Sequence, residues 1–211
     1  GAIINVPCPS QNSEHEYMLS ADYWHDVREA IRAKHGNIHI LSQCAASGDL
    51  SPRILHYKKA QDRRFRLKYG DTPLERAARK DIAERISQAF DEVLSWAKKD
   101  IKTKVSIVHK VKTIDLTKRR ISESELEFAK ESLQKLKDIP FTTEGDPIQQ
   151  LTENSSLVAQ RSRFETIIKR YEEQDASPKL PMELHVVKVG NIAFATNRFE
   201  LYMDYMHRIQ A

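Results

Sequence analysis

Glu183-Leu184-His185-Val186-Val187-Lys188-Val189-Gly190-Asn191-Ile192-Ala193-Phe194-Ala195-Thr196 is the stretch that decides the fold class. β-Branched and aromatic residues flank Gly190-Asn191, a pair suited to a tight two-residue turn. The stretch therefore reads as a β-hairpin with strands over 183–189 and 192–196. Asn197 reads as the cap of a last helix, on which Phe199, Tyr202, Met206 and Ile209 share a face.

The same reading extends back along the chain. Asn154 can cap a helix to about residue 174, with Leu157, Phe164, Ile168 and Tyr171 facing in. Loops are expected over 140–153 and 175–181. Ser122 and Glu125 have the spacing of a capping box, followed by a stripe of Leu126, Ala129, Leu133 and Leu136. Alternation over 104–115 predicts a half-exposed strand. Asp71-Thr72-Pro73 opens a helix ending near Lys98, with Leu74, Ala78, Ile82, Ile86, Phe90 and Val93 on one side.

At the other end, residues 2–6 read as a short buried strand and 7–17 as a loop. Ser20 can cap a helix over 21–34 that presents Trp24, Val27 and Ile31, and 38–43 reads as a second strand. There are no internal repeats. The expectation is an α+β fold: a mixed sheet with a C-terminal β-hairpin, packed against several helices.

Composition narrows the class. The chain has 211 residues, 40% of them hydrophobic, with only 6 Gly and 8 Pro. That excludes collagen, a low-complexity chain and an acidic disordered tail. Apolar runs such as Ile192 to Ala195 fall far short of the roughly 20 residues that span a bilayer, so no transmembrane segment is expected. Lys plus Arg is 34 and Asp plus Glu is 30, a net charge of +4. The acids are interleaved with the bases, so nucleic acid is not the expected partner. Cys8 and Cys44 form no CxxC pair. No signal peptide opens the chain, and Gly1 followed by an apolar run reads as a segment entered mid-fold.

Several residues carry candidate chemistry. The small-residue loop Ala45-Ala46-Ser47-Gly48-Asp49 leads to Ser51-Pro52-Arg53. Such a loop lets backbone approach a ligand, with Ser51 at its exit either as a nucleophile or as the cap of a short helix starting at Pro52. Glu200, Asp204 and His207 are spaced to share a helix face, as metal ligands or as a solvated surface. His35 and His39 are separated by the breaker Gly36-Asn37, and His15 lies between Glu14 and Glu16. The run 58–68 interleaves Lys58, Lys59, Arg63, Arg64, Arg66 and Lys68 with Phe65, and Tyr57 and Tyr69 flank it. It suits nucleic-acid stacking or, more simply, a solvated element with its aromatics tucked in.

Two of these segments resemble the neutral/alkaline non-lysosomal ceramidase family. Ile40-Leu41-Ser42-Gln43-Cys44-Ala45-Ala46-Ser47-Gly48-Asp49-Leu50-Ser51-Pro52 is similar to its segment in which a strand enters a small-residue loop ending Gly, Asp or Asn, any residue, Ser, Pro. Val189 to Glu200 resembles its hairpin strand leading to a glutamate at a helix start. The resemblance implies that Ser51 is the nucleophile and Glu200 a zinc ligand. It also implies a zinc-dependent amidohydrolase acting on an N-acyl lipid such as ceramide. The family's zinc histidines lie upstream of the serine segment and its tyrosine ligand lies beyond the glutamate. By that resemblance residues 1–211 are the C-terminal part of the catalytic domain, incomplete without the N-terminal metal-binding part and inactive alone. A secreted or periplasmic location would follow. The competing expectations are a non-catalytic module that keeps the fold and, further off, a basic nucleic-acid-binding domain centred on 58–68.

Overall fold

The computed structural model describes residues 1–16 and 18–211. In chain order the elements are β1 (Ala2–Val6), α1 (Tyr23–His35), β2 (Ile40–Cys44), α2 (Lys58–Tyr69), α3 (Leu74–Ala97) and β3 (Ile107–Thr117). They are followed by α4 (Glu123–Lys137), α5 (Pro147–Glu173), β4 (Lys179–Val189), β5 (Ile192–Ala195) and α6 (Met203–Gln210). The fold is α+β with a C-terminal β-hairpin. Its parallel and antiparallel pairings lie in separate sheets, β1-β2 and β3-β4-β5. The chain divides into two units, residues 1–108 with 188–211, and residues 109–187.

In the first unit β1 and β2 pair in parallel, from Ala2 opposite Ile40 to Val6 opposite Cys44, with α1 as the crossover. A parallel pair cannot be joined by a tight turn, so the helix is a topological requirement. Tyr23, Val27 and Ile31 recur every fourth residue on α1 and are all 0% exposed. They pack with Trp24, Ile40, Ile82 and Ala83, and with the half-buried Ile4, Val6, Ile86 and Phe90. The core is therefore α1 held between the strand pair and α3.

Sequence expects Ser20 to cap α1, but Asp22 does so. Its carboxylate accepts from the Tyr23 N–H and the Ser13 N–H, both at 2.8 Å. Ser20 Oγ instead accepts from the Asp22 N–H at 3.0 Å. Asp22 satisfies two buried donors where Ser20 could satisfy one, which offsets its positive φ of 50°. The expected loop over 7–17 holds through Glu16, and Tyr17 lies outside the described residues.

α3 starts as expected after Pro73, but Asp71 does not cap it. Thr72 donates its hydroxyl to the Tyr69 carbonyl at 2.9 Å and closes the turn between α2 and α3. The hairpin from β4 to β5 turns at Gly190-Asn191, with a positive φ (62°) at Gly190 and not at Asn191. That is the signature of a II′ turn.

In the second unit, α4 and α5 pack along seams of three- and four-residue spacing. Ala129 is fully buried, and Phe128 meets Phe164 edge-on at 6.0 Å. The capping box of α4 is complete: Ser122 Oγ accepts from the Glu125 N–H, and Glu125 accepts from the Ser122 N–H. α5 starts earlier than expected, because Asp146 caps it by accepting from Ile148 and Gln149. Residues 147–153 are thus helical rather than loop. Asn154, expected as the cap, lies inside the helix and clasps the Thr142 backbone through both its amide oxygen and its NH2. β4 likewise begins at Lys179, inside the expected loop. Its Pro181 sits far from the short β5, where only one neighbouring strand needs bonds.

Two expectations follow. Ile31→Ala should lower stability by about 3 kcal/mol, read as a fall in urea midpoint at unchanged slope. A loss under about 1 kcal/mol would mean that the α1 stripe is not the core. In the α4 cap, hydrogen bonds from Arg119, and then from Ser122, hold the Glu125 carboxyl down to about 2, from an ordinary 4.5. A folded value below the unfolded one stabilises above the unfolded value and is lost as pH falls. The first turn of α4 should therefore hold above pH 4.5 and loosen as pH falls toward about 2. Amide exchange at residues 123–126 would show it, and Glu125→Gln should abolish that pH dependence.

Candidate functional site

β1 and β2 end side by side, and the loop that leaves β2 carries Ser51. This loop is fixed by contacts distant in sequence. The Gly48 N–H donates to the Leu201 carbonyl at 2.9 Å, and Asp49 Oδ1 accepts from the Met203 N–H at 2.9 Å. A Cβ on Gly48 would press into the Glu200 carbonyl oxygen and come within 2.9 Å of the Tyr202 ring. Gly48 is therefore required by close approach. The segment carrying Ser51 and the segment carrying Glu200 lie against each other backbone to backbone.

The local details differ from the sequence reading. Ser51 is exposed, and its Oγ accepts from the Arg53 N–H at 3.1 Å. This is a two-residue hydroxyl turn and not the cap of a helix, since α2 begins only at Lys58. Glu200 precedes α6 and does not sit in its first turn, so Glu200, Asp204 and His207 do not share a helix face. Asp204 pairs with Arg208 at 2.9 Å. Asn197 does not cap α6, because its side chain closes a turn by accepting from the Phe199 N–H at 2.7 Å. Asp49 supplies an acceptor at the first turn of α6, reaching it from the other end of the chain. The Glu200 carboxylate is exposed and has no hydrogen-bond or ion-pair partner among the described residues.

Ser51 is among the residues that line a cleft of about 360 Å³. Val6 and Cys8 enter it from the end of β1, Phe65 from α2, and Ile82 and Ile86 from α3. A cleft at the carboxyl ends of parallel strands is where α/β units commonly bind ligands. Burial raises the Cys8 thiol above its usual range. Charged residues line it too. Asp81 is buried, and Arg64 and Lys68 reach its Oδ1 while Arg85 lies 3.4 Å from its Oδ2. Arg53, also in the lining, pairs with Glu14.

The basic run 58–68 forms α2. Phe65 is buried, Arg64 and Lys68 turn to Asp81, and Lys68 also reaches Glu84 at 2.5 Å. Part of its charge is thus used within the fold. Of the remaining candidates, His35 and Lys34 both bind Asp91 of α3 at 2.6 Å and hold that carboxyl below its ordinary value. His15 lies 3.7 Å from Glu75.

Sequence reasoning missed Asp81, Arg85 and the capping role of Asp49. Asp81 had one available signal: an acid on the α3 face that carries Leu74, Ala78 and Ile82, where a charge needs a partner. Asp49 had none, because its partner is 154 positions away. No family model matches the chain, and the comparisons with curated proteins and with solved structures found no match.

Gly48→Ala should destabilise the first unit by about 2–3 kcal/mol, since the clash is with backbone that cannot swing away. Hydrogen exchange should rise at the two donor amides of the docking, Gly48 and Met203, together. Unchanged exchange at Met203 would refute the docking of the two segments.

Proposed function

We propose that this chain is part of a zinc-dependent amidohydrolase resembling neutral ceramidase, which cleaves the amide of an N-acyl lipid through Ser51. The observation that carries the reading is the docking of the Ser51 loop onto the Glu200 segment through Gly48 and Asp49. Two motifs that resemble one family at opposite ends of the chain are the two that meet in space. The cleft adds to it: Val6, Phe65, Ile82 and Ile86 line it with apolar surface beside Ser51, which suits an acyl chain next to the amide.

The donors around Glu200 do not fit a zinc site. Among the described residues no three His, Cys, Asp or Glu side chains are grouped to hold a metal. Glu200 is one carboxylate, where a catalytic zinc takes three protein ligands. In the proposal the metal belongs to the whole protein, and Glu200 is this chain's contribution to it.

The chain's own part in the reaction is positional. The Arg53 N–H bond to Oγ fixes Ser51 on a loop tied down at Gly48 and Asp49. Ser51 attacks the amide carbonyl, the amine leaves, and water hydrolyses the resulting ester to free the fatty acid. Val6, Phe65, Ile82 and Ile86 would hold the acyl chain away from water.

The test uses the protein as its source makes it, with a ceramide carrying a labelled acyl chain. Ser51→Ala should reduce fatty-acid release at least about 10³-fold while leaving lipid binding in place. Hydrolysis that persists in Ser51→Ala would overturn the assignment. Lipid binding with no hydrolysis in the wild type would leave the non-catalytic module as the answer.

A further inference from the structure

The second unit carries a group of side chains that the proposed hydrolysis does not use. His109 of β3 and His185 of β4 face each other across the antiparallel ribbon, with His109 Nε2 2.9 Å from His185 Nδ1. Their rings are nearly parallel, at 18° with centroids 5.2 Å apart. On the far side of its ring, His185 Nε2 lies 2.7 Å from Glu183 Oε1. Glu183 and His185 are two apart on one strand and so stand on the same face of it.

We propose that His109 and His185 form a binding site for a divalent transition-metal ion of the zinc, nickel and copper class, with Glu183 as the group that orients it. Three features carry this. The two facing nitrogens are the atoms an imidazole uses to bind such metals. The carboxylate sits on the opposite nitrogen of His185, the usual outer partner of a metal-binding histidine. It fixes the Nε2–H tautomer and leaves the Nδ1 lone pair aimed at His109. The site is also accessible, because His109 and Glu183 are exposed and His185 is half-buried.

The resting arrangement explains how the ion enters. With Glu183 accepting from His185 Nε2–H, the Nδ1 atom of His185 accepts from His109 Nε2–H. When the metal binds, the His109 proton moves to its own Nδ1 by exchange with water. Both facing nitrogens then present lone pairs, with no net proton released. The metal exchanges two of its waters for two imidazoles and keeps the rest. With two protein ligands, the affinity is that of a weak clip and not of a closed structural site.

The clip has a mechanical consequence. An isolated two-stranded ribbon is marginally stable in water. A metal bound to both strands ties β3 to β4 beside the helical pair that β3 leads into and β4 leaves. Binding to the folded form alone stabilises it by mass action.

The test is titration of the whole chain with zinc chloride, followed by the nitrogen-15 resonances of the histidine rings. One equivalent should bind. It should shift His109 Nε2 and His185 Nδ1 and move His109 to its Nδ1–H tautomer. Affinity should follow copper above nickel, with zinc below copper. His109→Ala and His185→Ala should each weaken binding at least about tenfold, and Glu183→Gln by about tenfold. Glu200→Gln should leave the titration unchanged, which separates this site from the proposed hydrolytic one. Zinc binding that survives both histidine substitutions would overturn the proposal, as would a wild-type chain whose two rings do not respond to zinc.

Discussion

The face of α1 that carries Tyr23, Val27 and Ile31 is covered on two sides at once, by the β1-β2 pair and by α3. The first unit depends on this. Two parallel strands alone bury too little to be stable, and they need a crossover helix to exist. α3 closes the layer and brings Ile82 and Ile86 against the strand ends. The cleft is thus a by-product of core packing: Val6 and Cys8 leave the sheet at the same end from which the Ser51 loop departs. A loop anchored to such a frame can hold a side chain in place without regular structure of its own.

Gly48 shows how the frame is completed. Its N–H reaches the Leu201 carbonyl, and any Cβ would collide with the Glu200 backbone. Asp49 then serves as the missing acceptor for the first turn of α6, a helix that has no side-chain cap of its own. One short loop therefore orders the C-terminal segment and presents Ser51. Stability and site geometry are coupled at these two residues, and a change there would alter both.

What could be read from the sequence divides along the same line. The Ser122–Glu125 capping box, the Gly190-Asn191 turn and the α1 stripe are short-range patterns, and each appears in place. α2 was not legible as a helix because only Phe65 of its residues is buried, so it shows no stripe. Asn154 misled because an asparagine has two polar ends, and the Thr142 backbone used both of them. Asn197 misled in the same way, spending its oxygen on a local turn. Helix starts set by a partner elsewhere in the chain, such as that of α6, leave no trace in a local window.

The charges around Asp81 decide what kind of cleft this is. A buried carboxylate is tolerable only when it is paired, and here Arg64, Lys68 and Arg85 share it while the Tyr69 hydroxyl points at it from 3.4 Å. Three cations on one anion leave positive charge in excess even after Lys68 is shared with Glu84. Guanidinium groups hold more donors than one carboxylate can satisfy, so some of those N–H groups remain for a ligand. Val6, Phe65, Ile82 and Ile86 line the same cleft with apolar surface. In the proposed reading, such a lining would suit a molecule with a polar, hydrogen-bond-accepting head and an apolar tail.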